Sequence, residues 1–95
     1  MLDSKTRAKL RGLANQIEPT VMVGKEGITE NVLAQIQNDL SSHELVKIAV
    51  MNNSDVVAKS ICGELCGIVG AEPVQVIGRK IVIYKFSSKC KNHVL

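Results

Sequence analysis

Apolar positions recur along the chain with two periods, one helical and one alternating. Over residues 4–17, Leu10, Leu13, Ala14 and Ile17 fall on one helical stripe, with Ser4 placed to cap it. At roughly 100° per residue, Arg7 and Arg11 lie on one flank of that stripe and Lys5 and Lys9 on the other. Pro19 closes the helix, and Thr20–Val23 reads as a short strand. Past Gly24-Lys25-Glu26-Gly27, Thr29 is an N-cap, with Ile28 and Leu33 in the positions of a hydrophobic staple. Val32, Leu33, Ile36 and Leu40 form a second stripe that ends near Ser41-Ser42. The run "LVKIAVM" at 45–51 is apolar at six of seven positions, the pattern of a central strand covered on much of both faces. Asn52–Asp55 turns the chain and caps a third helix, whose stripe is Val57, Ala58, Ile61, Leu65, Ile68 and Val69 and which Gly70 ends. Two strands, 73–78 and 81–86, then flank a hairpin-like Gly78-Arg79-Lys80 connection.

The predicted order is helix, strand, helix, strand, helix, strand, strand, with no linker long enough to divide it. Alternation of this kind gives parallel pairing through crossovers and a closing antiparallel hairpin. The expected fold is a compact α/β, two-layer-type sandwich on a four-stranded mixed sheet. Residues 1–86 make one domain, and "SSKCKNHVL", 87–95, is expected to be a basic flexible tail.

Charge sharpens this picture. The formal net charge is only +3, but residues 1–27 hold five bases against three acids, residues 78–95 five bases against none, and residues 28–77 two bases against six acids. If the two ends of the chain share a face of the fold, that face is strongly basic. The aromatic content restricts the partner: with only Tyr84 and Phe86, the chain has too few rings for a platform that stacks several bases. Three cysteines and the absence of an apolar leader after Met1 point to a reducing cytoplasm, and no apolar run approaches a membrane-spanning length.

Candidate chemistry centres on the glycine loop. A strand, a glycine-bearing loop and a helix N-terminus together make a recurrent anion site, because glycines permit close backbone approach and the helix end adds roughly half a positive charge. Lys25 supplies a cation, which Glu26 formally cancels, and a bare GxxG also serves as a simple turn. Nucleotide loops do not fit: the NTPase phosphate loop needs a glycine where Pro19 stands and Ser or Thr where Glu26 stands, and G-x-G-x-x-G is missing. Cys62 and Cys66, one turn apart, with Cys90 and His93, count four zinc-type ligands. Their spacing is not that of a common finger, and the two helix cysteines border the apolar stripe, so packing is the expected role. His43 beside Glu44 is placed to end a helix, and no Ser, Cys or carboxylate stands in an arrangement that signals a nucleophile and base. Neither a metal, a cofactor nor a small-molecule substrate is expected, and the chain reads as a non-enzyme.

Four segments together resemble a known family: "LDSKTRAKLRGLA" at the start, "VMVGKEGITENVL" around the loop, "HELVKI" at 43–48 and "VQVIGRKIVIYK" at 74–85. The resemblance, over residues 2–86, is to the CRM domain (chloroplast RNA splicing and ribosome maturation) in its stand-alone bacterial, YhbY-like form. It implies a fold similar to the C-terminal domain of translation initiation factor three, and binding to ribosomal RNA of the large-subunit precursor. It also implies a GxxG loop that clamps an RNA backbone as in KH domains. Carried over by position, the loop is Gly24, Lys25, Glu26 and Gly27, and the basic surface draws on Lys5, Arg7, Arg11, Lys47, Arg79 and Lys80. The backbone amides from Gly24 to Gly27 and the start of the second helix are expected to meet phosphate, in a protein that acts as a monomer. The third helix, with Cys62, Gly63, Cys66 and Gly67, departs from the family pattern, as does the cysteine-bearing tail. The alternative from another class is a protein-docking module that reaches RNA only through a ribosomal protein or assembly factor.

Overall fold

The computed structural model describes residues 3–24, 27–51 and 58–88. Its elements follow the predicted order: α1 (Ser4–Ala14), β1 (Val21–Val23), α2 (Glu30–His43), β2 (Leu45–Val50), α3 (Ala58–Val69), β3 (Glu72–Ile77) and β4 (Lys80–Tyr84). The sheet runs β1-β2-β4-β3, with β1 parallel to β2 and β4 antiparallel to both β2 and β3. β4 thus slots between two strands that point the same way.

Alternation along the strands divides the core in two. Val46, Ile48, Val50, Ile81 and Ile83 join Val21 and Val23 under α2 and α3. Leu45, Val82, Tyr84 and Val74 face Leu10 and Ala14 of α1 on the opposite side. β2 and β4 are apolar on both faces because both faces are covered. The sandwich accordingly has a third layer, contributed by α1 alone.

Several boundaries shift for identifiable reasons. Asp3, not Ser4, caps α1: its carboxylate accepts the Thr6 amide at 2.7 Å. Hydrogen bonds from the Thr6 hydroxyl and amide hold the Asp3 carboxyl below its ordinary 3.8. Its contribution is therefore present above 3.8 and lost as the pH falls through the depressed value. α1 stops at Ala14 instead of 17, since the Lys47 ammonium donates to the carbonyls of Ala14 (3.3 Å) and Ile17 (3.4 Å) and fixes the chain as it leaves the helix. Thr29 caps α2 as expected, accepting the Val32 amide at 3.2 Å, and Ile28 and Leu33 both pack against the larger core. α2 runs through Ser41-Ser42 to His43, where Glu44 ends it in the left-handed region at φ 65°. On α3, Ile68 is 54% exposed and so leaves the expected stripe, while Cys62 is buried within it. The expected cap at Asn52–Asp55 and the stripe residue Val57 lie outside the described residues. Gly70, at φ 74°, ends α3, and Lys85 donates to the Val69 carbonyl at 2.8 Å.

The segment after β4 is bound to α2. The Lys85 amide donates to the Glu44 carbonyl (2.9 Å), the Ser87 amide to the Glu44 carboxylate (2.7 Å), and the Ser87 hydroxyl to the Ser41 carbonyl (2.9 Å). Ser87 is therefore part of the fold, one residue past the boundary expected at Phe86. No helix among the described residues is long and apolar enough to cross a membrane.

Candidate nucleic-acid interface

β1 and β2 are parallel, so the glycine loop leaves the sheet at the same end as Met51. The Met51 amide donates to the Val23 carbonyl at 2.9 Å, and a Cβ on Gly24 would stand 3.3 Å from the Met51 sulfur. The Gly27 amide donates to the Gly24 carbonyl at 3.0 Å, which closes the four-residue turn, and Gly27 holds φ 72°. That bond bears on one expectation: the Gly27 amide already has an acceptor inside the turn. Lys25 and Glu26 lie outside the described residues. Beyond the turn, the helix geometry leaves the Glu30 and Asn31 amides of α2 without an intrahelical acceptor.

The β3–β4 hairpin tip reaches this same end. Ile77 pairs with Lys80, which makes Gly78-Arg79 a two-residue turn, with Gly78 at φ 56°. The Arg79 carbonyl accepts the Val50 amide at 2.7 Å, and Lys80 pairs with Ala49. Gly24, Gly27, Arg79 and Lys80 are thereby brought to one end of the sheet.

The remaining cations sort by layer. α1 carries Lys5, Arg7, Lys9 and Arg11 and no acid; α2 carries Glu30 and Asp39 and no Lys or Arg; α3 carries Lys59 and Glu64. Lys5 and Arg11 are exposed. Arg7 is half-buried, and its Nε is buried with no hydrogen-bond partner. Lys47 lies on the α1 face, half-buried, with two of its three donors on the end of α1, so its evident work is to position that helix. The conditional posed by the charge layout is met in part: by strand alternation Lys80 shares the α1 face, whereas Lys85 donates to the Val69 carbonyl at the end of α3, and Lys89 and Lys91 lie outside the described residues.

No catalytic grouping emerges among the described residues, and no three of their His, Cys, Asp and Glu side chains meet as a metal site. Cys62 and Cys66 are free thiols. Their mutual hydrogen bond brings Cys62 down to about 7 and, with burial, pushes Cys66 up. Cys90 and His93 lie outside the described residues. His43 lines an open groove of about 440 Å³ with Asp39 and Lys47, but Asp39 is engaged by the Thr20 hydroxyl at 2.8 Å.

Sequence reasoning passed over three exposed apolar side chains beside the loop: Met22 (60% exposed), Met51 and Ile77 (61%). The alternation in "VMV" was their available signal, since it sets Met22 on the face opposite Val21 and Val23.

The family model described as the CRS1 / YhbY (CRM) domain matches residues 2–85, nearly the whole chain. The chain belongs to the CRM domain family. Among its CRM relatives, a Haemophilus influenzae protein named "RNA-binding protein" is 38% identical over 90 residues, covering 95% of this chain and 91% of the relative. Bacillus subtilis "Probable RNA-binding protein YqeI" is 34% identical over 91 residues, covering 96% and 95%. The solution structure of a hypothetical protein from Staphylococcus aureus superimposes with a TM-score of 0.80 at 41% identity, covering 93% of this chain and 92% of that one. The CRM fold seen here is therefore shared with a solved structure, and the two curated relatives are named for RNA binding rather than for a reaction.

Proposed function

We propose that this protein binds structured ribosomal RNA during assembly of the large ribosomal subunit, without catalysing a reaction, as a cytoplasmic monomer. The observation that carries the reading is the segregation of cations: a helix with four bases and no acid covers one sheet face, and at the end of that sheet lie the glycine turn and the Arg79–Lys80 tip. Phosphates are neutralised by Lys5, Arg11, Lys80 and their neighbours, while the turn admits a strand of RNA close to its backbone and the open amides of α2. Titration of the purified protein with large-subunit rRNA fragments at two salt concentrations tests this. The affinity is expected to fall steeply as salt rises; absent or salt-insensitive binding would favour a protein-docking module instead.

The loop has its own test. Lys25→Ala is expected to weaken RNA binding and lower the salt slope by about one unit or less. Gly27→Asp should do more harm, since it puts a side chain at φ 72° and a negative charge at a buried position beside the proposed phosphate contact. If both variants melt normally and bind RNA as the parent does, the loop is only a turn.

A further inference from the structure

Met22 pairs with Ala49, Ala49 with Lys80, and Lys80 with Ile77. These four residues form one continuous row across all four strands, about 14 Å wide at the usual strand spacing of about 4.8 Å. They share the face that α1 covers, yet α1 stops short of them: Leu45, Val82 and Tyr84 are buried beneath the helix, whereas Met22 is 60% and Ile77 61% exposed and Lys80 is exposed between them. Two steps beyond Met22 and Ala49 come Gly24 and Met51, on the same face of their strands. The row is an apolar shelf with one cation in its middle and the glycine turn at its edge.

We infer that this shelf holds an unpaired nucleobase of the bound RNA, beside the backbone contact at the turn; the inference rests on the RNA-binding reading above. Charge selects the occupant. The row contains Lys80 and no acid, Arg79 precedes it at the tip, and the α1 helix alongside carries four bases and, beyond its Asp3 cap, no acid, so an adjoining polyanion is favoured over an apolar protein face. Chemistry suits a base as well: a methionine thioether is polarizable and adapts to a flat ring, and the branched Ile77 offers a second apolar contact. An aromatic platform is not required, and none is present here, since Tyr84 lies buried under α1 and Phe86 lies past the far end of β4.

The test uses the full chain and two RNA probes: a hairpin with one bulged uridine, and the same stem fully paired. Fluorescence anisotropy should show the parent preferring the bulged hairpin by roughly five- to tenfold. The double variant Met22→Thr/Ile77→Thr should lose that preference while binding the paired stem with unchanged affinity and salt slope, and Met22→Leu should keep it. With 4-thiouridine at the bulge, the crosslink should map to Met22, Met51 or Ile77. If the parent binds both RNAs without preference, or the double variant keeps the preference, the shelf holds no base and RNA binding itself still stands. If the parent binds neither RNA at low salt, the functional reading falls and takes this inference with it. Sedimentation of the protein alone covers the other occupant: a parent dimer that the double variant abolishes would make the row a contact between two copies and overturn the inference.

Discussion

Replacing Lys5, Arg11 and Lys80 together by alanine is expected to cost roughly thirty- to hundredfold in RNA affinity at moderate salt, and to lower the salt slope by about two to three units. All three side chains are exposed, and none is used to fix a helix end, so the melting temperature should hardly change. Lys47→Met is the contrasting substitution. Its ammonium is bound to the Ala14 and Ile17 carbonyls, so the variant should lose stability and lose affinity only as α1 loosens. Arg7 is left out of the triple variant because it is half-buried, with its Nε buried, and truncation would mix lost packing with lost charge. Anisotropy titrations at several salt concentrations, paired with thermal melts, separate the two classes. A triple variant with the parent's slope would remove α1 and the hairpin tip from the interface.

The largest effect on stability is expected at Glu44. This residue is fully buried, holds φ 65°, accepts the Ser87 amide through its carboxylate and the Lys85 amide through its carbonyl, and thereby fastens the segment after β4 to α2. Glu44→Ala deletes a charged acceptor and strands a donor, a loss of about 2–4 kcal/mol, or on the order of 10 °C or more in melting temperature for a domain of this size. Glu44→Gln retains an oxygen for Ser87 and should lose less. Glu44 also acts on Tyr84, which gives a spectroscopic check. Tyr84 is the single tyrosine in a chain without tryptophan, and burial first, then the Glu44 charge, raises its pKa above the ordinary 10.0. In Glu44→Gln the ultraviolet titration of that ring should shift down but stay above 10.0, because the burial remains. An unshifted titration would show that the two groups do not interact.

The elements were legible because their periods are clean: Thr29 with its staple and the two-faced "LVKIAVM" run are local signals that appear where the pattern put them, and the Gly78 turn appears one residue shorter, with Lys80 drawn into β4 by its pairing with Ile77. What stayed hidden was set by tertiary contact. The end of α1 depends on Lys47, which is 33 residues from the Ala14 carbonyl it binds. Glu44 entered the sequence reading only as the neighbour of a helix-ending His43, and its burial depends on the segment after β4 that binds it. Of the candidate site, the basic face was written in the charge layout only as a conditional, since the sequence does not say that α1 and the hairpin tip share a side. The apolar shelf was harder still. A lone methionine between two valines signals nothing until the register aligns it with Ala49, Lys80 and Ile77.

The two cores are unequal. Among the described residues, sixteen buried side chains make up the core that α2 and α3 form with the sheet, whereas the α1 layer is fastened by six, with Leu13 at its border and Lys47 at its end. The helix that bears more cations than either of the others is thus the one with the least apolar burial holding it down, and it is the natural unit of sub-global opening. Its amides should exchange with solvent well ahead of those in β4. An RNA that spans α1 and the hairpin tip would act as a strap across that opening, so its binding would also be read as slowed exchange in the first helix.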